Sequence, residues 1–97
     1  MTTKRNNRYK IQLDEIGLKD GSYSGKSISF EFENHDDIIS ILETEKAQEH
    51  FKSTSDRTEF LLGLKLFSEV MLRDKDNPLF VELKPAFLAF MKKLKGA

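Results

Sequence analysis

Two stretches near the start of the chain alternate between apolar and polar side chains. The apolar positions are Tyr9, Ile11 and Leu13 in the first stretch and Ile28, Phe30 and Phe32 in the second. Because side chains alternate between the two faces of a strand, each stretch predicts a β-strand with one buried and one solvated face. The Asp20-Gly21 pair between them favours a turn, so we predict an antiparallel β-hairpin with an unusually long connection, residues 17–25.

The spacing of apolar residues changes to three and four after the second strand, which indicates helices. Asn34 is a good N-cap residue, so we expect a first helix to begin there and to end near Gln48. The longest helix is predicted over about 56–73. One face of it, which we expect to be buried against the second strand and the last helix, carries Phe60, Leu64, Phe67 and Met71.

Two prolines divide the C-terminal segment. Asn77-Pro78 predicts the start of a short helical turn, and Pro85 predicts a last helix that ends near Leu94. Strands grouped before helices indicate an α+β fold. We therefore predict a two-stranded antiparallel β-hairpin followed by three to four packed α-helices.

Length and composition restrict the class of protein. The 97 residues predict one domain over 1–97, and the polar, basic residues 1–8 are expected to form a flexible arm. Sixteen basic and sixteen acidic residues give a net charge of zero, which excludes the strongly basic type of nucleic-acid binder. The sequence has no cysteine and no apolar run long enough for a membrane span, so we expect a cytoplasmic protein without membrane contact.

Residues with catalytic or metal-binding chemistry are sparse. His35 and His50 are the only histidines, and their spacing matches no common metal-ligand pattern. Glu31 and Glu33 share the polar face of the second strand, where solvated carboxylates are expected in place of an acid–base pair. No nucleophile motif is present. We expect no enzyme activity, no metal and no cofactor.

Basic residues gather at both ends of the chain. The positions that could contact nucleic acid are Lys4, Arg5, Arg8, Lys92, Lys93 and Lys95. They would form one phosphate-binding patch only if the two termini lay close together. No nucleic-acid motif accompanies them, so we expect at most weak, non-specific binding.

Gly63 lies inside the predicted central helix, where glycine costs about 1 kcal/mol relative to alanine. Close approach of another backbone is the expected reason. A ligand pocket beside the central helix is the alternative.

Four segments together resemble one family of small bacterial proteins, domain of unknown function 3861. They read NRYKIQL, NHDDI, GLKLFSEVML and NPLFVELKPAFLAFMKKLKG. The resemblance implies a bacterial, cytoplasmic, single-domain protein. It implies no activity, cofactor or functional residue.

These observations favour a non-catalytic interaction module that self-associates and that has a protein partner of unspecified identity. A lone two-stranded sheet leaves two edges unpaired, so two copies are expected to join edge to edge as a homodimer. The alternatives are a nucleic-acid-binding accessory protein that uses the basic termini, and a small-molecule binder with a pocket near the central helix.

Overall fold

The computed structural model describes residues 6–44 and 50–96. The chain divides into two compact units, a hairpin unit (Met1–Asp36) and a helical unit (Asp37–Ala97), and each is described by itself. The prediction of one domain over 1–97 stays a prediction. The far end of the first helix, predicted near Gln48, lies outside the described residues.

The hairpin unit contains two antiparallel strands, β1 (Asn7–Asp14) and β2 (Ser27–Asn34). Tyr9 pairs with Phe32, Ile11 with Phe30, and Leu13 with Ile28, so the apolar residues share one face and the polar residues the other. Asn7 and Arg8 were expected in the basic arm 1–8. They are instead the first residues of β1, because the ladder continues to the pair of Asn7 with Asn34.

Hydrogen bonds within the connection hold the long turn together. The backbone N–H groups of Leu18 and Gly21 donate to Ser22 O and Leu18 O, both at 2.9 Å. Gly21 has φ 89°, a left-handed conformation that glycine adopts without steric cost, which confirms the predicted Asp20-Gly21 turn. The Glu15 carboxylate accepts hydrogen bonds from the N–H and hydroxyl of Ser24, which fixes the base of the loop.

The helical unit contains four helices in its described residues. They are α1 (Ile38–Glu43), α2 (Thr54–Arg73), α3 (Pro78–Val81) and α4 (Lys84–Leu94). Together with the hairpin they confirm the predicted α+β fold. The Asn77 side chain accepts from Leu79 N at the start of α3, and Pro85 lies in the first turn of α4, as predicted.

The first helix begins later than predicted. Its N-cap is Asp37, which accepts a hydrogen bond from Ser40 N at 3.2 Å. Asn34 is buried at the end of β2, and its Oδ1 accepts instead from Asp36 N, so it stabilises the turn before the helix. The expectation that Asn34 caps the helix was therefore wrong.

The apolar core of the helical unit is small. The buried apolar side chains in the described residues are Ile38, Leu61, Leu64 and Met71. Burial of Leu64 and Met71 confirms part of the predicted face of α2. Phe60 is half-buried, and Phe67, predicted to be buried, has 39% of its surface exposed. Phe67 packs edge-on against Phe80 and Phe87, so one side of its ring stays in solvent.

Gly63 does not mark a close backbone approach. It is exposed, and a Cβ added there would meet nothing within 4 Å. The structure gives no steric reason for glycine at this position.

Arg57 is buried near the start of α2, with 5% of its surface exposed. Its guanidinium donates hydrogen bonds to the carbonyl oxygens of Leu42 and Thr44 at the end of α1. Because the last carbonyls of a helix lack partners and carry partial negative charge, the cation both pairs and stabilises them. The sequence pattern did not predict this role.

Candidate interaction surface

The apolar face of the hairpin is largely exposed. Leu13 has 63% of its surface in solvent, Ile28 61% and Phe30 47%. These three side chains lie together on one face, since Leu13 and Ile28 are opposite partners and Phe30 is two residues further along β2. Contiguous exposed apolar surface on a protein marks an interaction site more often than isolated residues do.

The face becomes more buried towards the other end of the strands. Tyr9 and Phe32 are half-buried, with ring centroids 5.4 Å apart. The Tyr9 hydroxyl donates a hydrogen bond to Asp36 O at 2.9 Å, and the Asn7 side chain donates to the same oxygen at 3.0 Å. These bonds fix the turn after β2 to the start of β1. The exposed part of the face is therefore the end near Leu13.

The opposite face of the hairpin is polar and carries both signs of charge. Arg8 forms an exposed ion pair with Glu31 at 2.9 Å. At the other end, Asp14 accepts hydrogen bonds from Ser27 and Gln12, which lower the pKa of its carboxyl. Asp14 thus keeps its negative charge over the whole neutral pH range. β1 is basic at its start and acidic at its end.

The basic residues singled out from the sequence fall in both units of the chain. Arg8 lies in β1 and is paired with Glu31. Lys92, Lys93 and Lys95 are exposed at the end of α4. Lys4 and Arg5 lie outside the described residues. Nucleic-acid contact through these positions stays a prediction.

The histidines give no sign of a metal centre. His35 is exposed and contacts Asp36 at 3.5 Å, and His50 is exposed. Within residues 6–44 and 50–96, no three histidine, aspartate or glutamate side chains come close enough to hold a metal ion. In the same part of the chain, no helix has the length and hydropathy of a membrane span.

A cleft of about 380 Å³ lies between α1, α2 and α4 in the helical unit. Most of its lining is aliphatic, from Ile41, Leu61, Leu64, Met91 and Leu94. The polar residues that line it are Ser40, Thr44, Lys65 and Lys95. The volume falls in the range of about 300–1,000 Å³ that small-molecule pockets occupy. Gly63, beside which the sequence suggested a pocket, is not among the lining residues.

These features define a class of protein: a small α+β domain in which a two-stranded hairpin with an exposed apolar face precedes a helical unit. A family model described as a domain of unknown function with a solved structure, DUF3861, matches residues 7–96. The chain belongs to this family, as its four sequence segments indicated. The family carries no assigned catalytic activity.

A solved structure supports the same assignment. The crystal structure of a protein of unknown function from Pectobacterium atrosepticum is similar to this chain, with 38% sequence identity and a TM-score of 0.75. The similarity covers 95% of this chain and 99% of that one. No curated protein matches the chain.

Proposed function

We propose that this protein is a non-catalytic interaction module of the bacterial cytoplasm that associates with a second copy of itself through the hairpin. The observation that carries the proposal is the exposed apolar face around Leu13, Ile28 and Phe30. A two-stranded sheet is marginally stable by itself, and an additional strand pairs its edge groups and extends its apolar face. A second hairpin supplies such a strand.

Light scattering after size exclusion, at micromolar concentration, tests this function. The expected mass is twice the 11.2 kDa of one chain. Leu13→Ser should weaken association because it removes exposed apolar surface from the hairpin face. Leu79→Ser is the matched control, since Leu79 is similarly exposed but lies on α3. A mass near 11.2 kDa for the unsubstituted protein contradicts the proposal.

The cleft in the helical unit favours a second candidate function, the binding of a small molecule with an apolar body and one anionic group. The Ser40 hydroxyl donates to Asp37, and the Thr44 hydroxyl donates to Ile41 O, so their protons are already used. The lining contains no acidic residue but two lysines, Lys65 and Lys95. The Lys95 ammonium, exposed at the end of α4, has three donors, which suit an anionic group at the polar part of an aliphatic cleft.

Dodecanoate and the neutral alcohol dodecanol form a matched pair of probes for this cleft. Dodecanoate should shift the methyl NMR signals of Leu64 and Leu94, and Lys95→Met should reduce its affinity. Dodecanol should bind more weakly because it has no charge to pair. Equal binding of both probes, or no shift at these methyl groups, removes the second candidate.

A further inference from the structure

The backbone hydrogen bonds show which groups of β1 point away from β2. Glu15 N donates to Lys26 O at 3.0 Å, and these two residues face each other in the continued register. They are therefore a hydrogen-bonded pair of the antiparallel ladder, and such pairs alternate with non-bonded ones. The odd-numbered residues of β1 direct their N–H and C=O groups towards β2. The residues that direct theirs outward are Arg8, Lys10, Gln12 and Asp14.

The same rule identifies the outward residues of β2, and the two edges differ in charge. On β2 the outward residues are Ser27, Ser29, Glu31 and Glu33. These carry negative charge only, whereas β1 carries Arg8 and Lys10 at its start and Asp14 at its end. A symmetric antiparallel pairing places the start of a strand against the end of its copy. Only the β1 edge can therefore bring opposite charges together in such a pairing.

We propose that two copies join through their β1 edges in antiparallel orientation, with the two-fold axis at Ile11. The sheet order is then β2-β1 followed by β1 and β2 of the second copy. This inference rests on the proposed self-association and adds the edge and the register. Arg8 lies opposite the partner's Asp14, and Lys10 opposite the partner's Gln12. The proposed partner is thus a second copy of this chain.

The apolar face agrees with this register. Ile11 lies opposite the partner's Ile11, and Tyr9 lies opposite the partner's Leu13. Apolar cross-strand pairs of this kind stabilise a sheet. The exposed Leu13 of each chain gains the ring of the partner's Tyr9 as a cross-strand neighbour on its open side.

Neighbouring registers are less favourable. A shift of one residue would place the apolar face of one hairpin beside the polar face of the other. A shift of two in one direction places Lys10 opposite the partner's Lys10, a like-charge pair. The same shift in the other direction places Lys10 opposite the partner's Asp14, but it leaves Arg8 without an opposite strand residue and pairs only residues 10–14 of β1, compared with 8–14 in the proposed register.

Pairing of β1 with β2 of another copy also joins opposite charges, but it has a different outcome. Such a contact is heterologous, so each added chain leaves one free β1 edge and one free β2 edge. The assembly would grow beyond two chains or close into a larger ring. The β1–β1 contact is isologous and is complete at two chains.

Two proline variants on one rung of the hairpin distinguish the edges. Gln12 and Ser29 are opposite partners, and each directs its N–H outward on its own edge. Proline removes that N–H without removing a bond between β1 and β2. Light scattering should show loss of the dimer for Gln12→Pro and an unchanged dimer for Ser29→Pro. Far-UV circular dichroism checks that both variants fold.

Charge reversal tests the register without proline. Arg8→Asp and Asp14→Arg should each weaken the dimer because two pairs of like charges then face each other across the two-fold axis. An equimolar mixture of the two variants should associate more tightly than either alone, since two arginines of one chain face two aspartates of the other. Native mass spectrometry with one chain isotopically labelled identifies the mixed dimer.

The other outcomes overturn the edge or the register. Dissociation by Ser29→Pro alone indicates the β2 edge, and dissociation by both prolines indicates heterologous pairing. Absence of mixed dimers contradicts the register. In all three cases the unsubstituted protein still associates, so the proposed function survives. A monomeric unsubstituted protein contradicts that function itself.

Discussion

The hairpin unit and the helical unit bury their apolar side chains to very different degrees. In the described part of the helical unit, four apolar residues are buried, among them Leu61, Leu64 and Met71. In residues 6–36 no apolar residue is buried, and Leu13, Ile28 and Phe30 have about half or more of their surface in solvent. The helical unit therefore has a core of its own, whereas the apolar face of the hairpin is largely exposed to solvent.

The difference follows from the geometry of the two kinds of element. A helix that is apolar around much of its circumference, like α2, can contact several neighbours at once. A hairpin has only one apolar face and two edges of unpaired backbone groups. Sequence alternation alone therefore identifies a face that prefers burial, and a second molecule can satisfy that preference as well as the same chain can.

The largest expected effect comes from truncating matched leucines in the two units. Leu64→Ala should lower the free energy of unfolding by about 2–5 kcal/mol, because it leaves a cavity in a small core. Leu13→Ala should change it by about 0.5 kcal/mol or less when the protein is dilute, since Leu13 is exposed. Denaturant melts at the lowest usable concentration measure both. Equal losses would mean that the hairpin face is already covered in the single chain.

Substitution of one arginine in each unit should also destabilise the helical unit more than the hairpin, but by a smaller amount than the leucine variants. Arg57→Leu should cost about 1–3 kcal/mol, because the carbonyls of Leu42 and Thr44 lose their donor while they remain partly buried. Arg8→Leu removes an exposed ion pair with Glu31, which is typically worth about 0–1 kcal/mol. Thermal melts of both variants test the order. A larger loss for Arg8→Leu would contradict our description of α1.

The smallest expected effect is a pH dependence confined to the hairpin connection. The Ser24 N–H and then the Ser24 hydroxyl lower the pKa of Glu15 below its ordinary value of 4.5. The carboxylate therefore stabilises the folded loop above pH 4.5, and this contribution is lost as the pH falls through the lowered pKa. The Ser24 amide signal should follow this titration by NMR, while the Leu61 amide should not.

Glu15→Gln is the control for that titration. It removes the charge that Ser24 binds, so the shift of the Ser24 amide at acidic pH should disappear. If the shift persists in this variant, another carboxylate is responsible and our description of the loop is incorrect.

The sequence predicted the elements well because their signals are local. Alternation identified both strands, and Asn77-Pro78 and Pro85 identified the last two helix starts. The N-cap was misplaced because Asn and Asp are both good N-cap residues, so the sequence did not distinguish Asn34 from Asp37. The structure shows that Asn34 Oδ1 accepts a hydrogen bond from Asp36 N instead. Phe67 was misjudged because periodicity gives the direction of a side chain but not the amount of protein on that side.

The candidate site was only partly predictable. The prediction of edge-to-edge association followed from having two strands, but the choice of edge depends on which backbone groups point outward. The direction of these groups depends on the register of the two strands, which cannot be predicted across so long a connection. The hydrogen bond from Glu15 N to Lys26 O establishes it. Arg8 was singled out as a nucleic-acid contact, and Asp14 was not singled out at all. The charges of Arg8 and Asp14 can be read from the sequence. Only the strand register shows that a symmetric β1–β1 pairing would place these two residues opposite each other.

Hydrogen exchange of the β1 amides, measured by NMR at two protein concentrations, tests whether the β1 edge pairs with a second copy. We expect slow exchange for Lys10 and Gln12 at high concentration and faster exchange on dilution, because in the proposed dimer these N–H groups bond to the second copy. Ser29 and Glu31 on the β2 edge should exchange fast at both concentrations. Equally fast exchange at both edges, or protection of Lys10 and Gln12 that does not respond to dilution, would contradict pairing through the β1 edges.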